Sequence, residues 1–256
     1  KKKEQAPEPT VEIQPIEYET QAIEETANVL FKPNKGPQTD FLAASEREVL
    51  YGGSAGGGKS YAMLSDPLRY MGHPAFSGLL LRHTTEELRE LVFKSQELYP
   101  KIWPGIKWSE RKMQWTAPSG ARLWMSYLDR DDDVLRYQGL AFSWIGFDEL
   151  TQWSTPYAWN YMRSRLRSTA ADLPIYMRAT TNPGGRGHHW VKKMFIDPSP
   201  YNRAYDATDI ETGEVLRYPA GHAKAGRPLY KRRFIPARLS DNPYLAESGD
   251  YEAMLL

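Results

Sequence analysis

The chain has 256 residues and a net charge of +1, from 33 basic and 32 acidic side chains. This balance does not indicate a nucleic-acid binder, so any contact with DNA must come from local basic patches. The absence of cysteine excludes disulfides and cysteine-based metal sites, and no apolar run approaches the length of a membrane span.

The first part of the chain differs in composition from the rest. Residues 1–30 are rich in Glu, Pro, Gln and Thr and contain few large apolar side chains. Such a segment cannot bury enough apolar surface to fold by itself, so we predict an N-terminal arm that is either flexible or docked on a partner. The globular part is expected to begin near Phe31.

A glycine-rich loop provides the most specific signal. Residues 53–60 read GSAGGGKS and match the phosphate-binding pattern G-x-x-x-x-G-K-[ST]. A short strand, Glu48–Tyr51, precedes the loop, and Ser60–Leu64 reads as the start of a helix. The alternative is an ordinary flexible loop. The residues expected to bind the nucleotide are Gly53, Ser54, Ala55, Gly56, Gly57, Gly58, Lys59 and Ser60.

Each fixed position of this loop meets a demand of triphosphate binding. Glycine lets backbone N–H groups turn toward the phosphates in conformations that a Cβ would obstruct. Lys59 can reach the β- and γ-phosphates, and the Ser60 hydroxyl can bind Mg²⁺.

Strands and helices alternate in the segment that follows. Leu79–Leu81 is a candidate buried strand, and Thr84 with Glu87 forms a capping-box pattern that opens a helix. We expect that helix to run to about Leu98 and to be ended by Pro100 and Pro104. Turn residues 117–120, between two candidate strands, predict a hairpin. This alternation favours an α/β fold with a mainly parallel sheet covered on both faces.

Two consecutive carboxylates end another apolar strand. Phe142–Phe147 leads directly into Asp148 and Glu149. At the end of a parallel strand Asp148 would help to hold Mg²⁺, and Glu149 would orient and deprotonate an attacking water. A solvated helix start is the alternative. The rival cluster Asp131–Asp133 follows no buried strand and is predicted to be a turn or helix cap.

The rest of the chain adds a helix, a strand and an irregular region. We predict a helix from Pro156 to about Arg167 and a strand over Ile175–Thr181, which Asn182 follows at the start of a turn. Asn182 could contact the γ-phosphate or the attacking water, or it could belong to an ordinary Asn-Pro turn. A small antiparallel excursion is expected over 197–232.

These segments, in this order, resemble the ATPase domain of the large terminase subunits of tailed bacteriophages. GGSAGGGKS resembles the Walker A motif of that family, GFDELTQW its Walker B motif and TTNPGG its coupling motif. The resemblance implies a P-loop NTPase of the RecA-like (ASCE) class, with a mainly parallel central sheet flanked by helices. It also implies that Gln38 contacts adenine, that the nucleotide is ATP and that Glu149 is catalytic.

The resemblance leaves the position of one catalytic arginine open. Many members carry an arginine inside the Walker A loop or directly before the glycine that corresponds to Gly139. Here the loop has no arginine and the second position is Gln138, so Arg136 becomes the candidate. A surface arginine without a catalytic role is the alternative.

A DNA translocase must hold the phosphate backbone without reading bases. Arg163, Arg165 and Arg167 lie on the predicted helix after the Walker B motif, where Arg163 and Arg167 would share one face. They are therefore the candidate DNA-binding residues. The alternatives are a solvated helix face and an arginine that serves the site of a neighbouring subunit.

The resemblance implies an organisation and a function for the whole chain. The arm over 1–30 precedes an ATPase motor domain over 31–245, and 246–256 begins a linker toward a C-terminal nuclease domain. The expected function is ATP-driven translocation of double-stranded DNA into a procapsid. The expected partners are DNA, the portal protein, the small terminase subunit and further copies in a ring of five, in the host cytoplasm.

Three other functions use similar chemistry. A helicase-like ATPase would separate DNA strands, and a nucleotide-switched assembly protein would change shape without sustained turnover. A kinase would transfer the phosphate to an acceptor other than water, and it needs no second carboxylate like Glu149.

Overall fold

The protein's computed structural model describes residues 31–54, 56–197 and 232–241. Contacts along the chain separate two units, Lys1–Lys32 and Pro33–Leu256, and the second contains all of the elements given below. Within the described ranges, no helix is both long and apolar enough to cross a membrane.

Three predicted segments lie wholly or mostly outside the described residues. These are the arm over 1–30, the linker over 246–256 and most of the antiparallel excursion over 197–232.

One sheet of eight strands forms the centre of the part that the structure describes, in the order β3-β4-β5-β2-β6-β7-β1-β8. From β5 to β8 all neighbouring strands are parallel, and β3, β4 and β5 pair antiparallel at one edge. The predicted α/β fold with a mainly parallel sheet is therefore confirmed. The strands are β1 (Glu48–Gly53), β2 (Ser77–Arg82), β3 (Lys107–Ser109), β4 (Gln114–Thr116), β5 (Arg122–Tyr127), β6 (Trp144–Phe147), β7 (Tyr176–Thr181) and β8 (Arg232–Ala237).

Helices connect these strands. The second of them begins at the glycine-rich loop, and the third begins with the predicted capping box, in which Thr84 Oγ1 accepts a hydrogen bond from Glu87 N at 3.3 Å. The prediction that Pro100 ends the third helix is wrong. A proline in the last turn removes only one intrahelical donor, so the helix continues to Ile102. The helices are α1 (Pro37–Ala43), α2 (Lys59–Ser65), α3 (Thr85–Ile102), α4 (Tyr157–Arg163) and α5 (His188–Phe195).

Apolar side chains cover both faces of the central strands. In β1, Val49 and Tyr51 pack in one hydrophobic cluster, and Leu50 packs in the cluster on the other face. In β2, Leu80 and Leu79 divide in the same way. Because successive side chains of a strand point to opposite faces, a continuous apolar run is the pattern expected of a parallel sheet between two layers.

Parallel pairing brings several chemically active segments to one edge of the sheet. The carboxyl end of β1 leads into the glycine-rich loop, that of β6 into Asp148 and Glu149, and that of β7 into Asn182. In the sheet, β7 lies between β6 and β1. Ligands of open α/β sheets bind outside the carboxyl ends of the strands, so this edge carries the candidate site.

The backbone of β6 packs closely against its surroundings at Gly146. A Cβ at this position would lie 2.3 Å from the Trp144 ring and 2.8 Å from Met63 Sδ. Gly146→Ala should therefore lower the free energy of unfolding by about 1–3 kcal/mol, measured by denaturant titration. Gly72→Ala is the matched control, because its Cβ would come no closer than 3.2 Å to Trp103. Equal effects of the two changes would contradict this explanation.

Candidate active site

The glycine-rich loop is held by contacts with β8 and with the buried Tyr51. Gly53 has a φ of 144°, and a Cβ there would lie 1.8 Å from the carbonyl oxygen of Ala237. That oxygen accepts a hydrogen bond from Ser54 N at 3.0 Å, and Tyr51 donates its hydroxyl to Gly57 O at 2.7 Å. These contacts hold the backbone of the loop in place, although Ala55 itself lies outside the described residues.

The loop lysine lies between the loop and the two carboxylates. Lys59 begins α2, is only 7% exposed and donates from Nζ to the carbonyl oxygen of Ser54. Burial lowers the pKa of Lys59, while the charges of Glu149 and Asp148 act in the opposite direction. The predicted Walker A lysine and the predicted acids therefore form one electrostatic site.

Gln38, predicted to contact adenine, lies beside the glycine-rich loop on α1. It is buried, donates from Nε2 to Gly58 O at 2.9 Å and accepts from Asn34 N at 2.6 Å. The structure thus brings Gln38 next to the phosphate-binding segment. Its contact with adenine stays a prediction.

Asp148 is buried at the end of β6 and is held by two neighbouring strands. Its Oδ1 accepts a hydrogen bond from the Thr180 hydroxyl of β7, and its Oδ2 lies 3.2 Å from Arg82 Nε at the end of β2. Arg82 is only 8% exposed. A buried carboxylate needs such a partner, because desolvation of an unpaired charge costs several kcal/mol.

Glu149 has an unusual backbone conformation. Its φ of 61° and ψ of 55° are left-handed, which is rare for a residue with a side chain. Two contacts with β7 and the loop after it support this conformation: Glu149 N donates to Thr180 Oγ1 at 3.0 Å, and Glu149 Oε1 accepts from Asn182 Nδ2 at 2.8 Å. The carboxylate is thus aimed by the neighbouring strand.

The environment of Glu149 favours its action as a base. Burial raises the pKa of Glu149, and the adjacent Asp148 raises it further. Arg82, Lys59 and the contact with Asn182 lower it by smaller amounts. A carboxylate with a raised pKa accepts a proton more readily, which is what activation of a water requires.

Asn182 and the loop that follows are joined to the segment after Glu149. The carbonyl oxygen of Asn182 accepts from the hydroxyl of Thr151 at 3.2 Å, and Thr181 Oγ1 donates to Thr151 Oγ1 at 2.9 Å. Gly187 N donates to Thr151 O at 2.8 Å just before α5. The sequence left open whether Asn182 belongs to an ordinary turn, and the structure shows that its side chain contacts Glu149.

The remaining acidic candidates have different surroundings. Asp131–Asp133 starts a 3-10 helix, where Asp133 Oδ2 accepts from Arg130 N at 3.0 Å and Asp131 Oδ2 accepts from Thr155 Oγ1 at 2.6 Å. This agrees with the predicted cap. Among the residues that the structure describes, no three His, Cys, Asp or Glu side chains cluster as a metal site. Metal binding by Ser60 and Asp148 stays a prediction.

The proposed arginine, Arg136, is on the surface. Its Nη2 donates to Tyr127 O at 2.7 Å, its guanidinium lies over the Tyr127 ring, and Asp133 Oδ1 lies 3.8 Å away. These contacts hold Arg136 at the carboxyl end of β5, with its side chain 47% exposed.

The predicted helical arrangement of the DNA-binding arginines is wrong. Helix α4 ends at Arg163, so Arg165 and Arg167 lie beyond it and cannot share a helix face with Arg163. The chain leaves the helix here because residues 165–167 pair with Phe142, just before β6, through two backbone hydrogen bonds.

Each of these three arginines also contacts something different. Arg163 pairs with the buried Glu48, and Arg165 lies over the Tyr161 ring. Arg167 donates to Gly139 O and Leu140 O at 3.2 Å. All three lie toward the amino ends of β1 and β6, away from the glycine-rich loop. Contact with DNA remains a prediction.

Sequence reasoning missed three contributors to the site: Arg82, Thr180 and Ala237. Arg82 carried a signal, because a charged residue directly follows a run of buried leucines. Thr180 was part of the coupling motif, but its contacts with Asp148 and Glu149 depend on strand pairing. Ala237 carried no signal, since its role comes from packing against a distant loop.

Solved structures of phage large terminases share this fold. The large terminase of a thermophilic bacteriophage, solved in complex with ADP, matches at 16% identity with a TM-score of 0.58, covering 87% of this chain and 49% of that one. The large terminase ATPase domain of Thermus phage P74-26 matches at 13% identity with a TM-score of 0.52, covering 88% and 89%. The chain thus spans about half of the ADP-bound terminase and most of the Thermus phage domain.

A comparison with curated proteins gives no match. The family model for the phage terminase large subunit matches residues 45–218. This range contains the glycine-rich loop, both carboxylates and Asn182, and it covers more than half of the chain. The chain therefore belongs to the phage terminase large subunit family.

Proposed function

We propose that this protein hydrolyses ATP to drive double-stranded DNA into a phage procapsid. The observation that carries the proposal is the position of Glu149. Its carboxylate is half-buried, lies beside the Walker A lysine and Asp148, and is held by Asn182 from the loop after β7. A nucleotide switch without turnover does not require such a base.

ATP binding is proposed for the edge of the sheet at the carboxyl end of β1. Backbone N–H groups of the loop and the N-terminus of α2 would surround the phosphates, and Lys59 would leave its loop carbonyl to contact them. Gln38, on the adjacent surface, would contact adenine. The ADP complex of the large terminase from a thermophilic bacteriophage, which has the same fold, supports nucleotide binding by this chain.

Ser60 and Asp148 are suited to hold Mg²⁺. Ser60 is the second residue of α2, and Asp148 Oδ2 is ion-paired with Arg82 but makes no hydrogen bond within the described residues. Oxygen ligands of this kind, few in number, are typical of magnesium bound together with phosphates. When bound, Mg²⁺ would offset charge on the phosphate oxygens.

Glu149 is the proposed general base. Its carboxylate would take a proton from water while the water oxygen attacks the γ-phosphorus. The bond between that phosphorus and the oxygen bridging to the β-phosphate then breaks, and ADP and phosphate leave. Asn182 holds Glu149 Oε1 and so sets the direction of the carboxylate.

Coupling to movement is proposed to pass from Asn182 to α5. A change at the γ-phosphate that alters the contact of Glu149 with Asn182 would act on Thr151 through the hydroxyl contacts, and through Thr151 on Gly187. Trp190 Nε1, on α5, donates to Trp153 O at 2.8 Å and joins the same two segments. Discrete rearrangements of such packed contacts are how local switches move larger elements.

DNA contacts and assembly into a ring complete the proposed function. Arg165 and Arg167, which are partly or fully exposed, are proposed to contact the phosphate backbone, whereas Arg163 is engaged with Glu48. In a ring, proposed to have five subunits on the portal, Arg136 would act on the site of a neighbouring subunit. The small terminase subunit and the host cytoplasm complete the proposed setting.

Replacement of the proposed base tests the mechanism. Glu149→Gln should lower the rate of phosphate release by about 10²–10⁴-fold, because the amide cannot accept the proton. Binding of ATP, measured by calorimetry, should persist. Glu86→Gln, an exposed change on α3, is the matched control and should retain activity. Undiminished turnover in Glu149→Gln would overturn the role of Glu149.

Duplex DNA distinguishes the translocase from its alternatives. We expect blunt duplex DNA to stimulate release of inorganic phosphate without separating the strands. Strand separation would instead support the helicase-like function, and transfer of phosphate to an added acceptor would support a kinase. Added salt should reduce this stimulation by DNA, because contacts with the phosphate backbone release counterions and weaken as the salt concentration rises.

The charge of Arg82 should set the pH range of activity. Arg82 lowers the pKa of Glu149, so Arg82→Gln should raise that pKa and keep the base protonated to higher pH. The acidic limb of the kcat/KM profile for ATP hydrolysis should therefore move to higher pH. Arg89→Gln, an exposed change on α3, should leave the profile in place. A shift to lower pH would contradict the proposed interaction.

A further inference from the structure

A second cleft opens at the edge of the sheet opposite the glycine-rich loop. Its volume is about 520 Å³, and it lies between the segment that leads into β1, the 3-10 helix Asp66–Tyr70 after α2, and the start of β7. We call it the arginine cleft. Its polar lining consists mainly of Arg47, Arg69, Tyr70, Tyr176 and Arg178.

Positive charge predominates in the lining. Asp66 is the fully buried carboxylate that contacts two of these guanidinium groups: its Oδ1 accepts from Arg69 Nη2 at 2.9 Å, and its Oδ2 lies 3.8 Å from Arg178 Nε. Asp66 Oδ2 also accepts from Trp144 Nε1 at 2.7 Å. Two guanidinium groups thus share one carboxylate, and Arg47 brings a third guanidinium to the lining.

One buried donor in the lining makes no hydrogen bond with the described residues: the hydroxyl of Tyr176, which is 6% exposed. Nε of Arg178, which is 2% exposed, has only the ion pair with Asp66 Oδ2 at 3.8 Å, beyond hydrogen-bond distance. Burial raises the pKa of Tyr176 well above its ordinary value, so its hydroxyl stays protonated and able to donate. Buried donors without acceptors are uncommon and destabilising, and a bound anion would satisfy them.

The aromatic walls add a surface for an organic group. The Tyr70 and Tyr176 rings meet edge to face at 6.1 Å, and the Arg178 guanidinium lies over the Tyr176 ring at 4.3 Å. Pro174 and Ile175 complete the apolar side. The cleft is larger than a bare ion requires and falls within the size range of small-ligand sites.

We propose that the arginine cleft binds a phosphate group, either free, on a nucleotide or in a DNA backbone. The positive charge of the guanidinium groups and the Tyr176 hydroxyl suit the acceptor oxygens of phosphate, an anion that guanidinium groups favour in particular. This site is separate from the proposed ATP site, since it lies at the amino ends of β1 and β7 rather than at their carboxyl ends.

The arginine cleft is connected to both halves of the proposed ATP site. Arg69 lies on the 3-10 helix that continues directly from α2, which begins at Lys59. Arg178 lies on β7, whose other end leads to Asn182. A ligand in the cleft would therefore contact the elements that hold the Walker A lysine and the coupling residue.

Calorimetric titration tests this site by itself. The full chain carrying Lys59→Ala, which disables the phosphate loop, is titrated with inorganic phosphate, a deoxynucleoside monophosphate and a short DNA duplex. At least one of these should bind. Tyr176→Phe in the same background should weaken that binding about tenfold, which is the loss expected for one hydrogen bond to a charged group. Arg89→Gln should leave the affinity unchanged.

Thermal unfolding separates binding from a structural role. Because the Tyr176 hydroxyl has no hydrogen-bond partner among the described residues, Tyr176→Phe should leave the Tm of the ligand-free protein unchanged or raise it. Binding of phosphate alone identifies the free ion, binding of the monophosphate alone a nucleotide, and binding of the duplex alone the DNA backbone. If none binds, or if Tyr176→Phe and Arg69→Gln leave the affinity unchanged, the proposal is overturned.

Discussion

The parallel pairing of β6, β7 and β1 is the constraint on which the site depends. It places the ends of three strands side by side, so that residues far apart in the chain meet at one edge of the sheet. Thr180 of the middle strand then contacts Asp148 and Glu149 at the same time. A shift in register would turn these side chains to the other face, because the side-chain period of a strand is two.

The chemistry of the site depends on a balance between two positively and two negatively charged side chains. Lys59 and Arg82 face Asp148 and Glu149 in a region largely closed to water. The two cations limit the rise in the pKa of Glu149 that burial and Asp148 cause. In such surroundings each charge depends on its partners, since the loss of one leaves another desolvated and unpaired.

The edge strand β8 connects distant parts of the chain to the nucleotide loop. Ala237 supports Gly53 and Ser54 at one end of the strand, and Arg232 pairs with the buried Glu48 at the other. Glu48 also pairs with Arg163 of α4. An arginine predicted to bind DNA thus anchors the strand that enters the Walker A loop, because a fully buried carboxylate needs compensating charge.

Local patterns in the sequence determined the α/β class, the phosphate loop, the two carboxylates and the capping box of α3, because each depends on spacing or on backbone chemistry within a few residues. Tertiary structure alone decided the rest. The sequence cannot show that α4 stops at Arg163 to pair with the segment before β6, that β8 lies against the loop, or that Arg82 faces Asp148. These features arise from contacts between segments far apart in the chain, where packing and charge compensation override local propensity.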